Sequence, residues 1–208
     1  MEFNENCTQC PRLSKFLTEV KTQHPDYHCL PVSPFGVKHP KLLIVGLAPG
    51  KHGANATGRP FTGDHAGLLL YETLYATGFS NQAKATSRDD GLKLIGARIT
   101  NAVKCLPPEN KPTTQEVNTC NQFLSQEIDS LKKGAVVLAL GTIAHRAVLK
   151  SRGLVLSKYA FSHGGEHKLS NGITLLDSYH CSRYNTQTKR LTETMFRDIF
   201  ERAKVLAG

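Results

Sequence analysis

No apolar run in this 208-residue chain approaches the roughly 20 residues that a membrane-crossing helix needs, so no spanning segment and no membrane partner are expected. The first residues, Met1-Glu2-Phe3-Asn4-Glu5-Asn6, have neither a basic lead nor an apolar stretch, so no secretory signal is read there and a cytosolic location is expected. Internal repeats, low-complexity tracts and a Pro- or Gly-rich linker are missing too, which favours one domain over residues 1–208. Acidic side chains are scarce: 17 Asp and Glu face 26 Lys and Arg, a net charge of +9. Such an excess biases a domain toward polyanions, because each phosphate it neutralises releases condensed counterions. Self-repulsion that merely keeps the protein soluble is the other reading of the same charge.

What the chain does have is a small menu of apolar, β-branched stretches. Residues 42–45, 99–103, 135–140 and 173–176 read as strands. Helical spacing falls at 66–77, at 114–131, after Gly141, and at 192–206. Strands alternating with helices predict a three-layer α/β/α fold around a four-stranded, mostly parallel sheet. In such folds ligands bind outside the carboxyl ends of the strands, so the segments after Val45, Val103 and Leu176 are the places to search.

The first of these is Gly46-Leu47-Ala48-Pro49-Gly50-Lys51-His52-Gly53, followed by ANATGRPFTGD to Asp64. It is not a nucleotide phosphate loop. That motif has four residues between its glycines and a Ser or Thr after the lysine, whereas here three separate Gly46 from Gly50 and His52 follows Lys51. The last strand ends in a polar loop, His180-Cys181-Ser182-Arg183-Tyr184-Asn185. A lone histidine is usually structural, but a His, Ser, Arg and Asn cluster at a strand's carboxyl end points to function.

Six cysteines in a cytosolic chain are not expected to form disulfides. Cys7 and Cys10 make C-x-x-C, and Cys105 and Cys120 make a wider pair, a set of four thiols that suits zinc or an iron–sulfur cluster alike. Cys29 and Cys181 fit neither pair. His145, His163 and His167, scattered and without a carboxylate in a tight motif, read as structural or surface residues rather than as a second metal site.

Taken together, GLAPGKHGANATGRPFTGD, HCSRYNTQTKRLT and the four cysteines resemble the uracil-DNA glycosylase superfamily, most closely its family 5, or b-type, branch of bacteria and archaea. The resemblance runs from Cys7 to the final helix. It implies a monomeric DNA-repair enzyme that flips a damaged base out of the helix, hydrolyses its N-glycosidic bond and leaves an abasic site. It also implies a [4Fe-4S] cluster on Cys7, Cys10, Cys105 and Cys120, with structural zinc as the alternative.

The resemblance further assigns roles. His180 matches the histidine that contacts the uracil carbonyl oxygen where negative charge develops, and Asn185 a second functional position of that motif. Phe61 matches the aromatic on which the extruded base stacks. Gly46, Leu47, Ala48, Pro49, Gly50, His52, Ser182 and Arg183 are expected to line or contact the substrate. The positions after Gly46 lack the Asp, Asn or Glu that handles water in other branches, which leaves Asp64 for that task. Asp64 also reads as a helix N-cap, and one residue can do both. Asn110 matches a functional position of the family 5 pattern; an ordinary turn residue is its other reading. Asn101 matches the uracil-reading asparagine of the neighbouring family 4 branch, in which case the enzyme would be narrowly uracil-specific. A site without that amide contact would accept further deaminated bases such as hypoxanthine or xanthine. A non-catalytic nucleic-acid-binding module clipped by zinc is the alternative from another class.

Overall fold

The structure, a computed structural model, describes residues 3–208. In chain order its elements are α1 (Pro11–Gln23), β1 (Phe35–Gly36), β2 (Leu42–Gly46), α2 (Ala54–Thr57), α3 (His65–Ala76), β3 (Ala97–Asn101), α4 (Thr114–Asp129), β4 (Val136–Leu140), α5 (Thr142–Ser151), β5 (Glu166–Lys168), β6 (Thr174–Ser178), α6 (Arg183–Gln187) and α7 (Glu193–Ala207). No helix among the described residues is long and apolar enough to cross a membrane.

Every residue of β2, β4 and β6 is buried, as expected of parallel strands covered on both faces. Successive side chains of a strand point to opposite faces, and the core divides accordingly. Leu42, Ile44, Val136, Leu138 and Leu176 pack with Leu70 and Leu74 of α3 and Phe196 and Phe200 of α7. Leu43, Val45, Val137, Ala139 and Leu175 pack with Leu124 and Ile128 of α4 and Val148 of α5. Helices therefore cover both faces, and the expected three layers are present.

The sheet has six strands rather than four, in the order β1-β3-β2-β4-β6-β5. The four central strands are parallel and are those read from the sequence. The extra pair, β1 and β5, are antiparallel edges of two and three residues. They are partly exposed and carry no apolar run, so periodicity gives no sign of them. Helix α1 is likewise additional. Cys10 stands at its N-cap with Pro11 next, where a proline costs no hydrogen bond, and Leu13, Leu17 and Val20 form its buried stripe.

Parallel order brings the carboxyl ends of β2, β3 and β6 to one edge of the molecule. Gly46 and Asn101 are register partners at that edge. The loop after Ser178 joins them there.

Candidate active site

Two long motifs, far apart in sequence, meet in one cleft of about 460 Å³. Leu47, Ala48, Gly50, Phe61 and Asp64 line it from the first motif; His180, Ser182 and Arg183 come from the last, and Asn101 and Asn110 from the segments around β3 and α4. Ala54, His65 and Ala66 complete the wall.

The floor is built by close packing at Gly46. A side chain there would collide with Asn101 Oδ1 and come within 2.7 Å of the Phe61 ring. Glycine at this strand end thus lets both groups reach the cleft. Asn101 is only 3% exposed, and its Oδ1 has no hydrogen-bond partner among the described residues. A buried amide oxygen left unpaired is costly and marks a group waiting for a ligand or water. The Phe61 backbone is left-handed, φ 53°, an unusual conformation for a bulky residue. Neighbouring contacts hold it. Buried Arg59 pairs with Asp90 through two hydrogen bonds of 2.8 and 2.7 Å, its Nε donates to Thr62 Oγ1 at 2.9 Å, and Tyr71 donates to the Pro60 carbonyl at 2.7 Å. Asp90 is accordingly held well below the usual carboxylate range, chiefly by the Arg59 guanidinium.

Asp64 caps α3, its Oδ1 accepting from Gly67 N at 2.8 Å. The helix-cap reading is therefore correct, and the Gly67 hydrogen bond of the cap goes to Oδ1. Oδ2 lies against the backbone of Gly53, where any β-carbon would approach it to 2.5 Å. Desolvation by burial raises the Asp64 pKa above its ordinary 3.8.

The His180 and Phe61 rings lie 6.0 Å apart, inclined by 30°. The imidazole nitrogens of His180 have no partner among the described residues, and burial lowers its pKa to about 4. The ring is thus neutral near pH 7. Asn110, in a left-handed turn (φ 56°) that asparagine tolerates, sits at the exposed rim.

Other expected site residues lie just outside the cleft. Asn185 instead donates through Nδ2 to the His180 carbonyl at 2.8 Å. Gly46 and Pro49 are structural parts of the wall, the second buried behind it. His52 faces away: its Nδ1 is 2.8 Å from the Tyr27 hydroxyl, and its ring meets that of His24 edge-on. Two residues were not anticipated. His65 links the motifs, its Nε2 lying 3.2 Å from Thr186 Oγ1. Tyr184, next to Arg183, is 70% exposed. His65 opens α3 and Tyr184 lies in the short α6, and neither has an apolar periodicity that would single it out.

On the opposite side of β3, Cys7, Cys10, Cys105 and Cys120 line one shared cavity with Phe3, Leu13 and Phe123. Arg12 braces this corner, its Nε and Nη2 each 2.7 Å from the Glu116 carboxylate of α4. Burial, and to a lesser degree neighbouring thiols, raises the pKa values of Cys10, Cys105 and Cys120, that of Cys10 to about 11. No three of these sulfurs lie within 4.8 Å of one another.

Residues 33–204 match the uracil DNA glycosylase superfamily. The chain is 44% identical to the type-5 uracil-DNA glycosylase of Thermus thermophilus, covering 97% of this chain and 94% of that protein. It is 42% identical to the type-5 uracil-DNA glycosylase of Pyrobaculum aerophilum, with 98% and 90% covered. The crystal structure of wild-type SMUG2 from Pedobacter heparinus shares the fold at a TM-score of 0.51 and 14% identity, covering 81% of this chain and 76% of that one. With a motif-lined cleft at the carboxyl ends of its parallel strands and relatives matched over nearly its whole length, this chain belongs to the uracil-DNA glycosylase superfamily, in its type-5 branch.

Proposed function

We infer that this protein is a monofunctional DNA-repair glycosylase that hydrolyses the N-glycosidic bond of uracil in DNA. The observation that carries the reading is the joint placement of Phe61, Asp64 and His180 on one cleft. The flipped base would stack on Phe61, a contact typically worth about 1–3 kcal/mol. As the bond breaks, its electron pair leaves with the base, and charge builds on the carbonyl oxygens. Neutral His180 donates a hydrogen bond there, the kind of preorganised stabilisation that removes about 3 kcal/mol of barrier. Oδ2 of Asp64 orients water for attack on the sugar carbon and accepts its proton, with Asn110 and the exposed cation Arg183 at the rim. Asn101, whose buried Oδ1 is unpaired, would accept a hydrogen bond from a ring N–H of the base; uracil and the two-ring deaminated bases both offer one, so this contact alone would not confine the enzyme to uracil.

The range of bases extends beyond uracil in this reading. A cleft of about 460 Å³ walled by Leu47, Ala48, Ala54 and Ala66 has room for a two-ring base such as hypoxanthine or xanthine. Exposed Tyr184 would fill the gap that the flipped nucleotide leaves in the stack. The protein would act as a monomer on DNA.

The four cysteines would hold a [4Fe-4S] cluster rather than zinc. Their spread supports this. Thiolates around one zinc ion sit about 3.8 Å apart, given Zn–S distances of about 2.3 Å. Ligands of a four-iron cube bind separate irons and stand wider, in keeping with sulfurs not gathered within 4.8 Å. A bound cation would also offset the burial and neighbouring charge that raise Cys10, Cys105 and Cys120. The cluster would tie α1 to α4 and the Cys105 loop, a structural task.

The test is base release from oligonucleotides bearing uracil, hypoxanthine or xanthine, single- and double-stranded, by wild type, Asp64→Ala and His180→Ala. Wild type should release uracil and at least one purine, and both variants should be strongly impaired. No release of any base by the iron-loaded wild type refutes the reading.

A further inference from the structure

His145 of α5, His167 of β5 and Asp177 of β6 come together outside the cleft and outside the four-cysteine corner. Their ligand atoms all lie within 4.8 Å of one another. Asp177 is fully buried, His145 is 2% exposed and His167 17%. A carboxylate with no access to water needs positive charge beside it.

The hydrogen bonds define what that charge can be. His145 Nε2 lies 3.0 Å from the Tyr159 carbonyl and must donate to it. In the neutral ring Nδ1 is then bare, and it faces Asp177 Oδ1 at 2.8 Å. Two acceptors at that distance require a cation between them, either a proton or a metal ion. On the other oxygen, Asp177 Oδ2 lies 3.3 Å from His167 Nε2. Around a zinc ion with bonds of about 2.0–2.2 Å to nitrogen and oxygen, ligand atoms are separated by roughly 3–3.5 Å. The 3.3 Å His167–Asp177 pair has that spacing. The 2.8 Å His145–Asp177 pair, at the length of a proton-bridged contact, would open slightly to admit the ion. The outward hydrogen bond of His145 to a backbone carbonyl is also the arrangement that orients a metal-binding imidazole.

We propose that His145 Nδ1, His167 Nε2 and Asp177 form a second metal site, specific for a divalent transition ion of the zinc class, which takes the place of the bridging proton. Two imidazoles and one carboxylate suit such an ion and leave a fourth position for water on the half-open His167 side. The third histidine considered from the sequence, His163, is not part of it; its Nδ1 accepts from Tyr179 N at 3.2 Å. Asp177 lies three residues before His180, so an ion here would pin α5, β5 and β6 together beneath the last motif.

The test uses the full-length protein with iron measured in the same sample, so that zinc taken up by the cysteines at the expense of iron is recognised. Zinc chloride is dialysed against wild type, His167→Ala, His163→Ala and Asp177→Asn, and bound metal is counted by mass spectrometry. Wild type and His163→Ala should each hold one zinc per chain with iron unchanged. His167→Ala, partly exposed and tolerant of truncation, should hold none, and zinc should raise the melting temperature of wild type but not of this variant. Absence of zinc in the wild type, or its retention in His167→Ala, overturns the proposal.

Discussion

The Asn185 side chain, in α6, donates at 2.8 Å to the backbone carbonyl of His180, five residues back in the loop that precedes this helix. The last motif thus ties down the backbone of its own histidine, with the asparagine off the cleft wall. Replacing Asn185 by Ala removes a hydrogen bond whose net worth is about 1 kcal/mol. Melting should shift by only a few degrees, while single-turnover uracil release falls by roughly tenfold or more because the His180 donor is no longer aligned. Unchanged release would mean that the loop holds its shape without this bond.

Asp64 serves as cap and as cleft carboxylate through different oxygens, and substitutions can separate the two tasks. Asparagine caps helices as well as aspartate, whereas alanine costs about 1 kcal/mol. Asp64→Asn should therefore melt close to wild type yet lose about 100-fold or more in the excision rate, the usual weight of a general base. Asp64→Ala should lose both. Rate measurements under single-turnover conditions, paired with thermal melts, read the two effects independently.

The pH dependence follows from the same groups. Burial depresses His180 to about 4 from its ordinary 6.5, so between these values the unfolded chain binds the proton more readily. The stability His180 contributes is whole above about pH 6.5 and declines as pH falls toward 4. Excision should keep its full rate through pH 6.5, with no histidine limb there. Its acid limb should come from Asp64, which must be ionised and titrates above 3.8. A rate profile in wild type that breaks at 6.5 would show that His180 charges during the reaction cycle.

Arg59 and Asp90 form a buried pair, 3% and 8% exposed, behind the strained Phe61 turn. Removing one partner strands a buried charge, at a cost of about 3–5 kcal/mol. Asp90→Ala should show this in urea denaturation and should weaken base binding as the Phe61 segment relaxes. Because the Asp90 pKa is lowered in the fold, its stabilisation is present above the ordinary 3.8 and disappears as pH falls through the folded value.

Cys120→Ser should abolish bound iron and the broad visible absorption of iron–thiolate bonds near about 400 nm. Iron analysis of protein purified without oxygen checks this. Colourless wild type containing one zinc at the cysteines would favour the structural-zinc alternative.

Much of this was legible in the chain itself. Continuous apolar runs in β2, β4 and β6 identify strands buried on both faces, since such strands have no polar side to show. Helix α1 was not read from the sequence, because its buried stripe is only Leu13, Leu17 and Val20 among mostly polar and charged neighbours. The edge strands Phe35–Gly36 and Glu166–Lys168 were not legible either, because pairing along a sheet edge depends on backbone partners rather than on side-chain pattern.

The site divides in the same way. Local chemistry marked out the segments from Gly46 to Asp64 and from His180 to Asn185, because glycines and clustered polar groups after buried strands have few other uses. Only the tertiary structure could turn His52 toward Tyr27, aim Asn185 at His180 and join Asp177 to His145 and His167. Those relationships depend on which way a side chain points across long sequence separations, and composition and spacing along the chain do not encode that direction.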